Sequence, residues 1–181
     1  MSERERLRRI YEAKVLAELT AATAAEPVEP RGDRSWSGDP LARTMLVKGE
    51  PGPAERAGGE VLSGEDGDAA RKALAALGLL EHGLFATLSR PAASDPQARV
   101  SRLLRQVEAV DPRVLVALDA TAAEDVAAAL GIRLEVGRPQ HHRGRVVLAV
   151  DDFAASLADE DRKRRVWLQL RTLGGQASGP R

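Results

Sequence analysis

At 181 residues the chain suits one domain with a proper core and hardly two, and with hydrophobic residues at 43% but aromatics at 3% that core must come from Leu, Val and Ala. Basic and acidic residues balance at 27 each, so the net charge is zero; a dedicated nucleic-acid binder with a global basic excess is excluded, and any DNA contact must come from a local basic patch. The absence of cysteine excludes disulfides, thiolate nucleophiles and cysteine-held metal centres, while a charged N-terminus and the lack of any run near roughly 20 apolar residues point to a soluble, cytoplasmic protein without membrane contact.

Residues 3–24 read as a helix, with Leu7, Ile10, Tyr11 and Val15 on one apolar stripe and Arg4, Arg6, Arg8 and Arg9 crowded around it. The segment Ala25–Pro40 collects Pro27, Pro30, Gly32, Gly38 and Pro40, which is loop composition; Trp36 within it is either an apolar anchor or a contact point. Thr44–Val47 is a short strand ended by Lys48, Gly49, Glu50, Pro51 and Gly52. A helix is expected from about Asp68 to Leu77, with Asp66 or Asp68 near its cap and Gly78 past its end. Gly83–Leu88 is a second strand, and Asp95 with Pro96 opens a helix running to Val110. Val114–Leu118 is an unbroken apolar strand of the kind buried on both faces. Thr121–Leu130 is a helix closed by Gly131, Arg145–Val150 a fourth strand, and Asp159–Leu173 a final helix with Val166, Trp167, Leu170 and Leu173 on one side.

Strands alternating with helices at this spacing predict an α/β fold: a three-layer α/β/α sandwich around a four-stranded, mainly parallel sheet. Residues 1–40 would be an N-terminal helical arm and Pro/Gly-rich linker, 41–173 the α/β/α domain, and 174–181 a mobile tail. Ligands of such folds sit beyond the carboxyl ends of the strands, here Lys48–Glu50, Leu88–Pro91, Asp119 and Asp151–Phe153.

Residues 38–52, with Gly38, Pro40, Ala42, Arg43, Met45 and Val47 running into Lys48-Gly49-Glu50-Pro51-Gly52, resemble the opening of bacterial family 4 uracil-DNA glycosylases, a G-x-P-x-A-R-x-M-x-V strand followed by a G-E-x-P-G loop. The resemblance continues through Gly64–Gly67, Leu74–Leu79 and Asp111–Leu118. It closes over Gly144–Leu170, similar to the family's last strand, H-P-S loop and K/R-x-x-W-x-x-L helix. It implies the uracil-DNA glycosylase fold, with the active residues replaced. Aligned without a gap, the acidic water-activating position falls on Gly49, and only a one-residue gap brings Glu50 there. The aromatic that stacks on an extruded base falls at Leu62, and the Asn that reads uracil has no counterpart in a chain without asparagine. The H-P-S loop maps onto Asp152, Phe153 and Ala154, where a carboxylate would accept rather than donate at the base carbonyl. The Gly after the third strand is Asp119. Base excision needs flipping, stacking, edge reading and leaving-group stabilisation together.

The segment Asp152–Leu170 is also similar to the psi subunits of bacterial DNA polymerase III, through Leu157, Arg164 or Arg165, Trp167 and Leu170. That resemblance implies a non-catalytic clamp-loader accessory subunit that reaches replication or repair proteins through its N-terminal arm. No cofactor is expected. If the chain is a divergent glycosylase instead, Glu50 and Asp152 are its candidate catalytic groups.

Further candidates have a bland reading beside the sharp one. Glu50, Glu55, Glu65 and Asp66 could be catalytic carboxylates or metal ligands, but read best as solvated or capping acids. Asp119, Asp151 and Asp152 could hold Mg²⁺ or share a proton, or cap the helices that follow. His141 and His142, beside Arg138, Arg143 and Arg145, diverge and lack a third ligand, so no metal is expected there. Arg99, Arg102 and Arg105 read as the exposed face of an amphipathic helix. Arg162, Lys163, Arg164 and Arg165 form the densest basic run and the best candidate for a DNA phosphate contact, although a helix surface balanced by Asp159, Glu160 and Asp161 accounts for the run more simply. The expected binding face thus comprises Gly49, Pro51, Gly52, Leu62, Asp119, Phe153, Arg162, Lys163 and Arg165.

Overall fold

The computed structural model describes residues 2–24, 35–92 and 95–174. Helix α1 (Glu3–Thr23) begins with a capping box, in which Ser2 Oγ accepts from the Glu5 N–H and the Glu5 carboxylate from the Ser2 N–H. Then come β1 (Trp36–Gly38), β2 (Thr44–Lys48), the single-turn α2 (Pro53–Arg56), α3 (Glu65–Ala76) and β3 (Leu84–Leu88). The second half holds α4 (Pro96–Val110), β4 (Val114–Ala117), α5 (Ala120–Leu130), β5 (Gln140–His142), β6 (Arg145–Ala149), α6 (Phe153–Ser156) and α7 (Glu160–Arg171). Asp95 caps α4 and Pro96 occupies its first turn, as that residue pair predicts.

One six-stranded sheet has the order β1-β3-β2-β4-β6-β5. Its four inner strands are parallel, whereas β1 and β5 run antiparallel along the edges. The expected four-stranded sheet is therefore corrected to a mixed, six-stranded one. Both added strands lie in segments read as loops. Trp36–Gly38 pairs with Phe85–Thr87, and the Trp36 ring stacks on Phe85 with centroids 5.3 Å apart, so Trp36 is an anchor. Gln140–His142 pairs with Arg145–Val147 and takes up the histidine pair.

Alternation along the inner strands divides the core. Met45, Val47, Phe85, Leu115, Ala117, Val147 and Ala149 face one side, under α1, α4 and α5. Leu46, Ala86, Leu88, Val116, Leu148 and Val150 face the other, under α3 and α7. Helices on both faces explain why β2, β4 and β6 are buried at every position. Val15, Leu19 and Ala22 of α1 belong to the first core, so a boundary at residue 40 does not separate an arm from the domain. The outer half of α1 does stand clear: Leu7 is 59% exposed, Ile10 59% and Tyr11 51%. Residues 25–34 of the expected linker and 175–181 of the expected mobile tail lie outside the described residues.

From β2 the chain goes to β3 on one side and then crosses to β4 on the other. The strand order therefore reverses at β2 and β4, and the loops after them diverge to open a crevice.

Candidate functional site

The loop after β2 is shaped by two close approaches. A side chain on Gly49 would meet Asp119 Oδ1 at 2.6 Å, and one on Gly52 would meet Lys48 Nζ at 2.6 Å. Gly49 instead donates its N–H to Asp119 Oδ2 at 2.8 Å, while Asp119 Oδ1 accepts from the Ala122 N–H at 2.8 Å. One carboxylate thus caps α5 and ties the β2 loop to it, which is the capping role the sequence favours with a loop anchor added.

Lys48 ends a strand otherwise made of core residues, and its ammonium is buried with it. Nζ donates to both Glu55 oxygens at 3.0 Å and to Asp66 Oδ2 at 2.7 Å. Glu55 also accepts from the Gly52 N–H at 2.9 Å and the Leu62 N–H at 2.9 Å. Burial opposes ionisation of Glu55, but the Leu62 N–H and Lys48 outweigh it and hold the carboxyl below its ordinary range. Burial likewise opposes the Lys48 charge, and the hydrogen bonds and fields of Asp66 and Glu55 overcome it, raising its pKa. Glu55 is the capping acid the sequence reading allows, accepting from the Gly52 N–H at the start of α2; the solvated alternative is corrected for Glu55 and Asp66, which belong to an enclosed ion triad because Lys48 reaches the α2–α3 face of the sheet.

Two clefts open at the strand ends and share Glu50, Pro51 and Arg56 as a rim. The first, about 390 Å³, is lined on its far side by Asp119, Thr121, Asp151 and Asp152. The second, about 420 Å³, is lined by Arg90, Pro91 and Arg99. Strand ends named from sequence therefore do come together. Glu50 is exposed on the rim. Asp152 caps α6, its Oδ1 accepting from the Ala155 N–H at 3.0 Å. Asp151 donates its N–H to Gln169 Oε1 at 2.9 Å and accepts from Gln169 Nε2 at 3.1 Å.

Other predicted positions are elsewhere. Leu62 and Phe153 are buried in the core beneath α3 and α7 and line neither cleft, because Leu62 turns inward on the loop that Glu55 holds. Arg162 and Lys163 are exposed on α7 beside Asp159 and Glu160, the balanced helix surface of the bland reading, while Arg165 approaches Asp151 at 3.7 Å. The N–H groups of Arg162 and Asp161 hold Asp159 below the ordinary Asp range.

The basic helix face expected over Arg99, Arg102 and Arg105 is corrected at Arg102, which is buried. Its guanidinium donates to the carbonyls of Leu88 at 3.0 Å and Ser89 at 2.7 Å, closing the end of β3. Beside it lies a second cluster, centred on Asp125. Arg90 forks onto Asp125, Nε to Oδ2 at 2.9 Å and Nη2 to Oδ1 at 3.1 Å, and Arg99 Nε stands 3.4 Å from Oδ1. Burial opposes the Asp125 charge, but Arg90, Ser89 and Arg99 prevail and lower its pKa. Asp125 could have been suspected: it stands three residues after Ala122 and four before Ala129, on the buried stripe of an alanine-rich helix.

Among the described residues, no group of three or more His, Asp or Glu is arranged to hold a metal ion, and no helix is long and apolar enough to cross a membrane. No protein-family model matches the chain, and no curated protein matches it in sequence.

Proposed function

We propose that this chain is a cytoplasmic, non-catalytic component of DNA replication or repair on a uracil-DNA glycosylase-like scaffold, in the manner of a psi-like clamp-loader accessory subunit. One observation carries the reading: the positions where base excision would need its machinery hold structural groups. Leu62 and Phe153 are core residues, Asp152 is a helix cap, and both oxygens of Asp119 are engaged by backbone N–H groups. The first cleft offers no aromatic face on which a base could stack, and carboxylates form most of its polar wall. The exposed Leu7, Ile10 and Tyr11 give the outer half of α1 an apolar stripe suited to a protein partner.

A second reading, a divergent DNA glycosylase, is favoured by one feature: Glu50 and Asp152 line the same open cleft. An excision assay on single-stranded and mismatched DNA containing uracil or hypoxanthine separates the two. The proposal expects no excision at high protein concentration, together with binding to a bacterial clamp-loader complex that is lost when Leu7, Ile10 and Tyr11 are replaced by Ser. Excision that disappears in Glu50→Ala would overturn it. Serine replacement is the cleaner probe of the arm, since deleting residues 1–40 would also remove Val15, Leu19 and Ala22 from the core.

A further inference from the structure

The second strand-end cleft has a surplus of hydrogen-bond donors. Asp125, buried, is the one carboxylate that both Arg90 and Arg99 share. A carboxylate offers about four lone-pair sites, whereas each guanidinium carries five N–H donors. Asp125 receives two bonds from Arg90, while the Ser89 hydroxyl beside it donates to the Gly49 carbonyl. Among the described residues, Arg90 Nη1 and the two terminal nitrogens of Arg99 then have no acceptor. The exposed guanidinium of Arg56, on the opposite rim, has no acceptor among them either.

We propose that this cleft binds a phosphate group. Three guanidiniums enter it from different elements: Arg56 at the end of α2, Arg90 just after β3 and Arg99 on α4. Donors arriving from separate directions suit a tetrahedral oxyanion better than a planar carboxylate, whose geometry matches the fork of a single guanidinium. Arg90 is held in place by its fork onto Asp125, so little side-chain entropy is lost when its free edge meets an anion. The cleft, at about 420 Å³, accommodates a phosphate ester and its neighbouring sugar. Glu50 lines the same cleft and opposes the anion, setting a weak affinity that its neutralisation would raise. This inference does not depend on whether the chain is catalytic, and the excision assay leaves it untouched.

The phosphate could be an internal diester of a nucleic-acid strand or a free or terminal phosphate. Backbone amide shifts of Arg90, Ala92 and Arg99 would be followed by NMR in titrations at constant ionic strength. The probes are inorganic phosphate, an oligothymidylate and the same oligomer with a 5′-phosphate. Saturable shifts are expected, about tenfold weaker in Arg56→Ala and about threefold tighter in Glu50→Gln, with thermal stability unchanged because both side chains are exposed. Preference for the 5′-phosphorylated oligomer, matched by inorganic phosphate, assigns a terminal or free phosphate; equal binding of both oligomers assigns the diester. Shifts reproduced by chloride alone, an absence of saturation, or indifference to Arg56→Ala would each overturn the proposal.

Discussion

Two ion clusters stand at the carboxyl ends of the inner strands, on opposite faces of the sheet, and their charge balances are opposite. Under the β2 loop, one ammonium meets two carboxylates, and Glu55 adds two backbone N–H groups to its partners. Across the sheet, two guanidiniums share one buried carboxylate, with Glu124 only at the margin. The first is enclosed; in the second, the Arg90 side chain keeps 28% of its surface exposed. A closed cluster with its donors used up holds backbone in place, and a wet one with donors to spare can hold something else.

The largest expected effect belongs to the closed cluster. Glu55→Ala should remove about 3 kcal/mol of stability in chemical denaturation, since it leaves buried charge undercompensated and the Gly52 and Leu62 N–H groups without acceptors. A loss below about 1 kcal/mol would mean that water replaces the carboxylate and that the loop is not held as described.

The pH dependence of stability sharpens the contrast. Glu55 is held below its ordinary value of 4.5, so its contribution is complete above that pH and is lost as pH falls through the folded-state value. Asp125, depressed from 3.8, behaves in the same way at lower pH. Lys48 is raised above 10.5, so its contribution is complete below that pH and disappears as pH rises through the folded-state value. Arg90 keeps its charge throughout, its pKa raised further, chiefly by the hydrogen bond to Asp125. Only the Lys48 cluster therefore has an alkaline limb. Denaturation across pH should show that limb both in the native protein and in Asp125→Asn; a flat profile above pH 10.5 would break the distinction.

How much of this was readable in the sequence depended on the range of the interactions. The four inner strands and the five longer helices follow from apolar runs, caps and glycine stops, which are local signals. The edge strands Trp36–Gly38 and Gln140–His142 are three residues each and half polar, so only pairing with a neighbour defines them. The strand-end clefts were legible because topology alone places them. Their chemistry was less so: the loop motif drew notice to Glu50, while the buried acid is Glu55, found through Lys48. Lysine at the end of an otherwise apolar strand was the missed clue, because an ammonium there must meet a carboxylate. Arg90 and Asp125 are 35 positions apart, and nothing in either segment names the other.

The smallest effects separate the members of the open cluster. Asp125 is buried and serves two guanidiniums, so Asp125→Asn should cost about 2 kcal/mol in the same denaturation experiment, less than Glu55→Ala because Arg90 recovers water. Glu124 is 74% exposed at the side chain and lies 3.4 Å from Arg90, a distance and setting that favour a screened contact. Glu124→Gln should therefore change stability by no more than about 0.5 kcal/mol. If the two substitutions cost the same, Asp125 would not be the anchor of Arg90, and the cluster would be a surface network. The expected inequality requires that burial, more than the number of carboxylates near Arg90, fixes that guanidinium at the edge of the cleft.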